Sequence, residues 1–587
     1  MAYDYASIGL KIGLEIHQQL NTRKLFCDCS TGMKEKNQSF EIHRKMRPAV
    51  GELGKVDRAA LFEFLRSREF VYHGYQDEAC LVDTDDEPPH QINEEALRIA
   101  LSLSVMLGLE MPDEIHVMRK TVLDGSAITS FQRTMLVGFG SADFNGVRIK
   151  SLCLEEDAAK PQDAKGSSVT YSLSRLGIPL IEMATEPDIK SPEQCLEIAE
   201  QLGLLLRSFN VKRGIGTIRQ DVNISIEEGS RTEIKGWQDL KTLPTLIENE
   251  ISRQSSLVNI KNELNERGFK VSGAVDVSDI FGFECYALKL IKFRDISEKE
   301  LCKGKGLMDE LFEYPKANGS SVAMEKSGHY KSEFEKMEKM LECERGDIIV
   351  VVHGGEARKA VAALEERVRG LCIGVPEETR KPNPDGTTSF ARPLPGSERM
   401  YPETDCLPVK ITKRMIEKIE NSLPKTLNEK KEELEKSLPK EIASQLIRSQ
   451  YLGIYESMAK KIKSKENLLA VATTFTSTLK DMSRSGIQTD KIPEACFELI
   501  FNTLDRGKIT AKAIPEILER IANGDNAEAA LSSFETLDKD DIEKIISEAL
   551  RENPNLQISV LMGIVMAKLK GKADGKTVME ILKKMVK

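Results

Sequence analysis

The sequence predicts a multidomain α+β protein: a β-rich N-terminal region, a small α/β unit inserted into it, and an all-α C-terminal third. Three observations carry that expectation. The 587 residues exceed what one hydrophobic core organises. Roughly the first 270 residues alternate apolar and polar side chains in short segments broken by Gly, Pro and Asp clusters. From about Lys410 the pattern changes to a helical period with charged faces.

Each element has its own justification. In Lys11 to His17, Ile12, Leu14 and Ile16 alternate with Gly13, Glu15 and His17, as a strand with one apolar face requires. Leu152 to Ala158, Pro179 to Met183, Thr217 to Ile226 and Arg231 to Lys235 repeat that texture. Asp347-Ile-Ile-Val-Val-Val352 is a β-branched run suited to a buried strand. The His353-Gly-Gly355 turn follows it, and Glu356 to Val368 has helical spacing. Prolines 376, 382, 384, 393, 395 and 402 then crowd one segment, which fits a linker except for its charged Arg392, Glu398 and Arg399. Further on, Ile542, Ile545, Ile546 and Ala549, and then Val578, Ile581, Leu582 and Met585, fall at i, i+3, i+4 and i+7.

Composition narrows the function classes. With 40% hydrophobic and 30% charged residues the chain is an ordinary globular protein, not a disordered one. A net charge of −9 argues against a purely electrostatic nucleic-acid binder but leaves room for a local basic surface, and Val560 to Lys587 is lysine-rich. Eleven scattered cysteines fit a reducing compartment. The N-terminus lacks the basic and apolar regions of a signal peptide, and no run of about 18 apolar residues occurs, so a cytoplasmic protein without a membrane span is expected.

The polar faces of the strands carry the chemistry. Period-2 geometry puts Glu15 and His17 on one face, Glu155 follows Leu152 and Leu154, and Glu182 sits inside an apolar run. A solvated outer sheet face is the bland explanation for any one of these strands. Glu182 counts against it, because an unpaired carboxylate in apolar surroundings is costly. Glu15, His17, Glu155 and Glu182 could together hold Mg²⁺, a hard cation that keeps sites open for phosphate. Arg219 and Lys235 could neutralise a transferring phosphoryl group.

Other features receive a plainer reading. Gly571 to Thr577 is one residue short of a phosphate-binding loop and follows a helical pattern, which makes it a helix–helix turn. Cys27, Cys29 and Cys80 could bind zinc, but a loose pair with no second close pair is more often structural thiol. Glu41-Ile-His43 and Glu114-Ile-His116 repeat the spacing of Glu15-Ile-His17, so spacing alone is weak; these two, with His73, His90, His329 and His353, take surface or packing roles. The acidic run Asp83 to Glu87 reads as a solvated turn, and the single tryptophan, Trp237, as core. No Gly-x-Ser-x-Gly elbow and no paired catalytic cysteine stand out.

Gly13-Leu-Glu-Ile-His17, Leu154-Glu-Glu-Asp-Ala158, Gly177 to Glu182 with Thr185-Glu-Pro-Asp188, and Arg219 to Ser225 occur in this order. They resemble the tRNA-dependent amidotransferase family that includes the bacterial B-type and archaeal E-type transfer subunits. Gly374 to Lys381, Arg392 to Gly396 and Met400 to Asp405 are similar to the archaeal branch. The resemblance implies a cradle-shaped catalytic domain over 1–273 and 373–410, and an inserted aspartyl-tRNA-synthetase-like domain over 274–372. It further implies a helical domain over 411–515 and a tRNA-binding tail over 516–587. It places the metal site on His17, Glu155 and Glu182 with Glu15 beside them, and ATP and substrate on Arg219, Asp221, Asn223, Glu233 and Lys235. The implied reaction phosphorylates the side-chain carboxylate of Glu-tRNA(Gln) with ATP and Mg²⁺, after which ammonia displaces the phosphate. Ammonia would come from an asparaginase-like D-type subunit, in a heterotetramer of two subunit pairs. Inside the insertion the chain departs from the family, being shorter and carrying Cys285, Cys302 and Cys343. Two rivals remain: the bacterial B-type protein, which also acts on Asp-tRNA(Asn), and a non-catalytic tRNA-binding scaffold.

Overall fold

The computed structural model describes residues 3–51, 54–165, 168–318, 322–324, 330–396, 399–537, 539–553, 556–569, 573 and 575–585. The chain divides into two units, Met1–Pro424 and Lys425–Lys587.

The first unit is built on a ten-stranded sheet. Its strands are β1 (Lys11–Gln19), β2 (Met118–Thr121), β3 (Phe131–Phe144), β4 (Val147–Glu156), β5 (Pro179–Thr185), β6 (Ile218–Ser225), β7 (Thr232–Trp237), β8 (Glu378–Pro382), β9 (Thr388–Pro393) and β10 (Met400–Pro402). Their spatial order is β9-β8-β7-β6-β1-β5-β4-β3-β2-β10. Neighbours are antiparallel except β7 and β8, which run parallel. A parallel pair needs a long crossover, and the chain between β7 and β8 supplies it. The proline-crowded segment that reads as a linker in the sequence instead completes the sheet with β8, β9 and β10.

The alternation in β1 decides what faces where. Ile12, Leu14 and Ile16 are fully buried, and with Met183, Leu152, Leu154, Val222 and Ile224 they form the apolar underside. Three helices cover that side: α1 (Glu94–Leu107), α2 (Pro192–Leu206) and α3 (Leu243–Glu266). Their ends are fixed locally. Asn93 caps α1 through Ala96 N, and Gly108, at φ 69°, closes it in the left-handed conformation. Ser191 caps α2, with Pro192 in its first turn. At the opposite sheet edge Arg119 and Arg133 both donate to the buried Glu403 at 2.8 Å, fastening the chain after β10.

Between α3 and β8 lies a separate four-stranded sheet, ordered Val275–Asp276, Cys285–Leu290, Ile348–His353, Val322–Met324. It is joined by α4 (Leu307–Ala317) and α5 (Ala357–Gly370). Val350, Val351 and Val352 are all fully buried because both faces of their strand are covered. Val350 and Val352 join the main core, while Val351 packs with Phe334 and Met337.

α4 and α5 meet the large sheet through a buried ion cluster. Arg253 of α3 binds Glu310 at 2.6 Å, Glu378 at 2.9 Å and Glu250 at 2.9 Å. Arg380 of β8 contacts Glu378 and Glu310, Arg367 of α5 reaches Glu310 at 3.3 Å, and Tyr314 donates to Glu378 at 2.6 Å. Balanced charge in such a place fixes geometry more than it adds stability. Removing one member is different, since it strands the others. Arg253→Met is therefore expected to cost about 3–5 kcal/mol, read as a lower urea midpoint at constant slope.

The second unit is helical. Ile542, Ile546 and Ala549 on Lys539–Glu552 and Val578, Ile581 and Leu582 on Gly575–Met585 are buried together with Leu561 and Val565 of Ile558–Leu569. The periodic positions in the sequence are thus the packed ones, except that Met585 in the last turn is exposed. Gly571, Lys572 and Asp574 lie outside the described residues, and Gly575 to Thr577 open the last helix. Among the described residues no helix is long and apolar enough to cross a membrane.

Candidate active site

The upper face of the sheet collects the predicted residues. In register, His17 of β1 pairs with Glu182 of β5 on one side and Arg219 of β6 on the other, and Glu15 pairs with Asp221. Asn223 pairs with Glu233 of β7. His17 Nε2 lies 3.2 Å from Glu15 Oε1 and 3.3 Å from Glu182 Oε2. One donor atom from each of Glu15, His17 and Glu182 falls within 4.8 Å of the other two. Two carboxylates and an imidazole at that spacing suit a hard divalent cation.

The electrostatics agree with that fit. Burial works against charge on the His17 ring, yet hydrogen bonding to Glu15 and Glu182 and the nearby Asp221 raise its pKa to about 10. The site thus favours positive charge at Nε2. His17 Nδ1 is buried and has no hydrogen-bond partner among the described residues.

Glu155 stands beside the trio and not within it. It is engaged by Lys120 Nζ at 2.6 Å and by Gln132 Nε2 at 3.0 Å. Lys120 also lies 3.4 Å from Glu182, so one buried ammonium bridges both carboxylates. Burial and repulsion from Glu182 push the Glu155 carboxyl up. Glu182 is held well below the usual carboxylate range despite burial, because Lys120 and His17 adjoin it. Nothing in the sequence singled out Lys120; its strand, β2, has only four residues.

On the other flank, Lys235 lies 2.7 Å from Asp221 and 3.0 Å from Glu233. Asp221 also accepts from Gly236 N at 2.7 Å. Arg219 binds Asp157 at 2.9 Å, and Gln19 donates to the same carboxylate at 2.6 Å. Asp157 is fully buried, and Arg219 and Arg175 hold its pKa down against that burial. Its place just beyond β4 hid it from a strand-face reading. Arg219 and Lys235 keep about a fifth and a third of their side chains exposed, so both remain able to meet an anion. Asn223, two residues beyond Asp221 on β6, shares that face.

Glu41-His43 and Glu114-His116 contact each other at 3.0 and 3.7 Å but are about half exposed, as surface roles require. Burial separates them from Glu15-His17. His329 lies outside the described residues. Trp237 is buried in the core and donates to Asp239 O at 2.7 Å.

A second donor cluster is present. Cys27, Cys29, Cys80 and Asp83 place one ligand atom each within 4.8 Å of one another. Asp83 is therefore not part of a solvated turn: it is 7% exposed and pairs with Lys24 at 3.0 Å. Three thiols and a carboxylate form a donor set that can hold a zinc-like ion.

Fold and site together define a catalytic domain whose charged face spans the middle of an open sheet, followed by a helical region. The model of the GatB/GatE catalytic domain matches residues 10–417, and that of the GatB domain matches residues 454–586. The chain belongs to this family. It is 40% identical over 629 residues to the E subunit of the glutamyl-tRNA(Gln) amidotransferase of Methanocaldococcus jannaschii, covering 100% of both chains. The proteins of that name from Archaeoglobus fulgidus and Saccharolobus solfataricus are 40% and 39% identical, with 100% of this chain and 99% of each relative covered.

Proposed function

We propose that the chain is the transfer subunit that converts Glu-tRNA(Gln) into Gln-tRNA(Gln). A carboxylate does not react with ammonia near neutral pH, because it lacks a leaving group. In the first step a side-chain oxygen of the esterified glutamate attacks the γ-phosphorus of ATP and ADP departs. In the second, ammonia attacks the acyl carbon, inorganic phosphate leaves, and the nitrogen sheds a proton. Such chemistry asks for charge neutralisation and alignment more than for a protein nucleophile.

Glu15, His17 and Glu182, with Glu155 beside them, would hold Mg²⁺. When bound, that ion neutralises phosphate charge and polarises a phosphoryl oxygen. Lys235 and Arg219 meet the phosphate oxygens, and Asp221, Asn223 and Glu233 orient them. Lys120, in contact with both Glu155 and Glu182, offsets the repulsion between these two buried carboxyl groups. The observation that carries this reading is the three-donor cluster on the charged face, in a chain alike over its full length to relatives named as the E subunit of that amidotransferase.

The same reading assigns 1–273 and 373–410 to the cradle and 274–372 to an aspartyl-tRNA-synthetase-like insertion. It assigns 411–515 to a helical domain and 516–587 to a tail that engages tRNA. Ammonia comes from an asparaginase-like D-type subunit in a cytoplasmic heterotetramer of two pairs. The test is an assay of the purified chain alone with ATP, Mg²⁺, ammonium and misacylated tRNA. Gln-tRNA(Gln) is expected, and its absence, with tRNA still bound, would leave only the scaffold reading.

A further inference from the structure

We infer that Thr379 is a positioning residue for the phosphate-binding lysine, and that the inserted unit holds it in place. This rests on the reading of Lys235 above. Thr379 lies on β8, where it pairs in register with Glu233 of β7. Its hydroxyl donates to Glu233 Oε2 at 2.9 Å, while Glu233 Oε1 faces Lys235 at 3.0 Å. The two oxygens of one buried carboxylate are thereby fixed from opposite sides. Without the hydroxyl, Glu233 is free to rotate about its last bond, and Lys235 keeps Asp221 as a fixed partner but loses the second carboxylate that sets its direction.

What keeps Thr379 there is the residue on each side of it. Side chains alternate along a strand, so Glu378 and Arg380 point to the reverse face. Both enter the ion cluster with Arg253, Glu310 and Tyr314. Glu310 and Tyr314 belong to α4, and Arg367 of α5 joins them. β8 is thus pinned on one face by the inserted unit and presents Thr379 on the other. A shift of β8 by one residue would exchange the two faces, burying a hydroxyl among carboxylates and turning Arg380 onto the charged side. That makes the buried cluster a register lock for the site.

The experiment uses the full chain with ATP, Mg²⁺, ammonium and misacylated tRNA. Thr379→Val keeps the shape and deletes the hydroxyl. It is expected to raise KM for ATP about tenfold with kcat within about twofold of wild type and an unchanged melting temperature. Thr379→Ser should restore KM. In a Glu233→Gln background Thr379→Val should add nothing further, since both act through one carboxylate. Should Thr379→Val melt below the assay temperature, Thr379→Ala takes its place in each comparison. Lys235→Met is the control. If it raises KM for ATP while Thr379→Val does not, the inference is overturned and the reading of Lys235 stands. If Lys235→Met leaves that KM unchanged, the reading of Lys235 fails and takes the inference with it.

Discussion

His17→Ala and Glu182→Ala are each expected to lower formation of Gln-tRNA(Gln) by on the order of 10³-fold or more, even with excess ammonium, while tRNA binding survives. Excess ammonium matters because it bypasses any defect in ammonia delivery. The physical basis is how little else can do the work. His17 Nε2 sits between Glu15 and Glu182 at 3.2 and 3.3 Å, so removing the ring leaves two carboxylates facing each other across a gap. Removing Glu182 takes away a donor and also frees Lys120 from one of its two partners. Neither residue belongs to the apolar underside, so the fold should persist. Product yields from single-turnover reactions, with filter binding of tRNA in parallel, check both halves. Activity retained by both variants would refute the assignment.

The second large effect concerns Lys120. Lys120→Met leaves Glu155 and Glu182 buried and adjacent without the ammonium that separates their charges. One of them must then take up a proton or the pocket must open. We expect activity to fall by about 10²-fold and the urea midpoint to drop. Adding Glu155→Gln to Lys120→Met removes the repulsion and should recover the midpoint without recovering activity. Recovery of both would make Lys120 merely structural, whereas no change in the single variant would remove it from the site.

Much of this was legible in the residues, for stated reasons. Period-2 alternation sorted Glu15 and His17 from Ile12, Leu14 and Ile16, and Glu182 was conspicuous because it interrupts an apolar run. The β-branched run at Ile348 to Val352 announced a buried strand. What alternation does not supply is register between strands. It put Glu155 among the predicted ligands but not the turn of its side chain toward Lys120 and Gln132. Lys120 itself was hidden in a four-residue strand, and Asp157 beyond a strand end. The parallel pairing of β7 and β8 is set by contacts more than a hundred residues apart in the chain, which no local pattern encodes. The three Glu-x-His pairs make the same point. Only burial sets Glu15-His17 apart from the other two, and burial is a property of the whole fold.

The most direct test of the central claim is where a divalent cation binds. Mn²⁺ substitutes for Mg²⁺ in oxygen-rich sites and is paramagnetic, so pulsed electron paramagnetic resonance of the Mn²⁺-loaded chain reads its nearest nitrogen. The account predicts a ¹⁴N coupling from an imidazole in the wild type, lost in His17→Gln and preserved in His43→Gln. A coupling that survives His17→Gln, or a bound ion with no nitrogen ligand in the wild type, would contradict it.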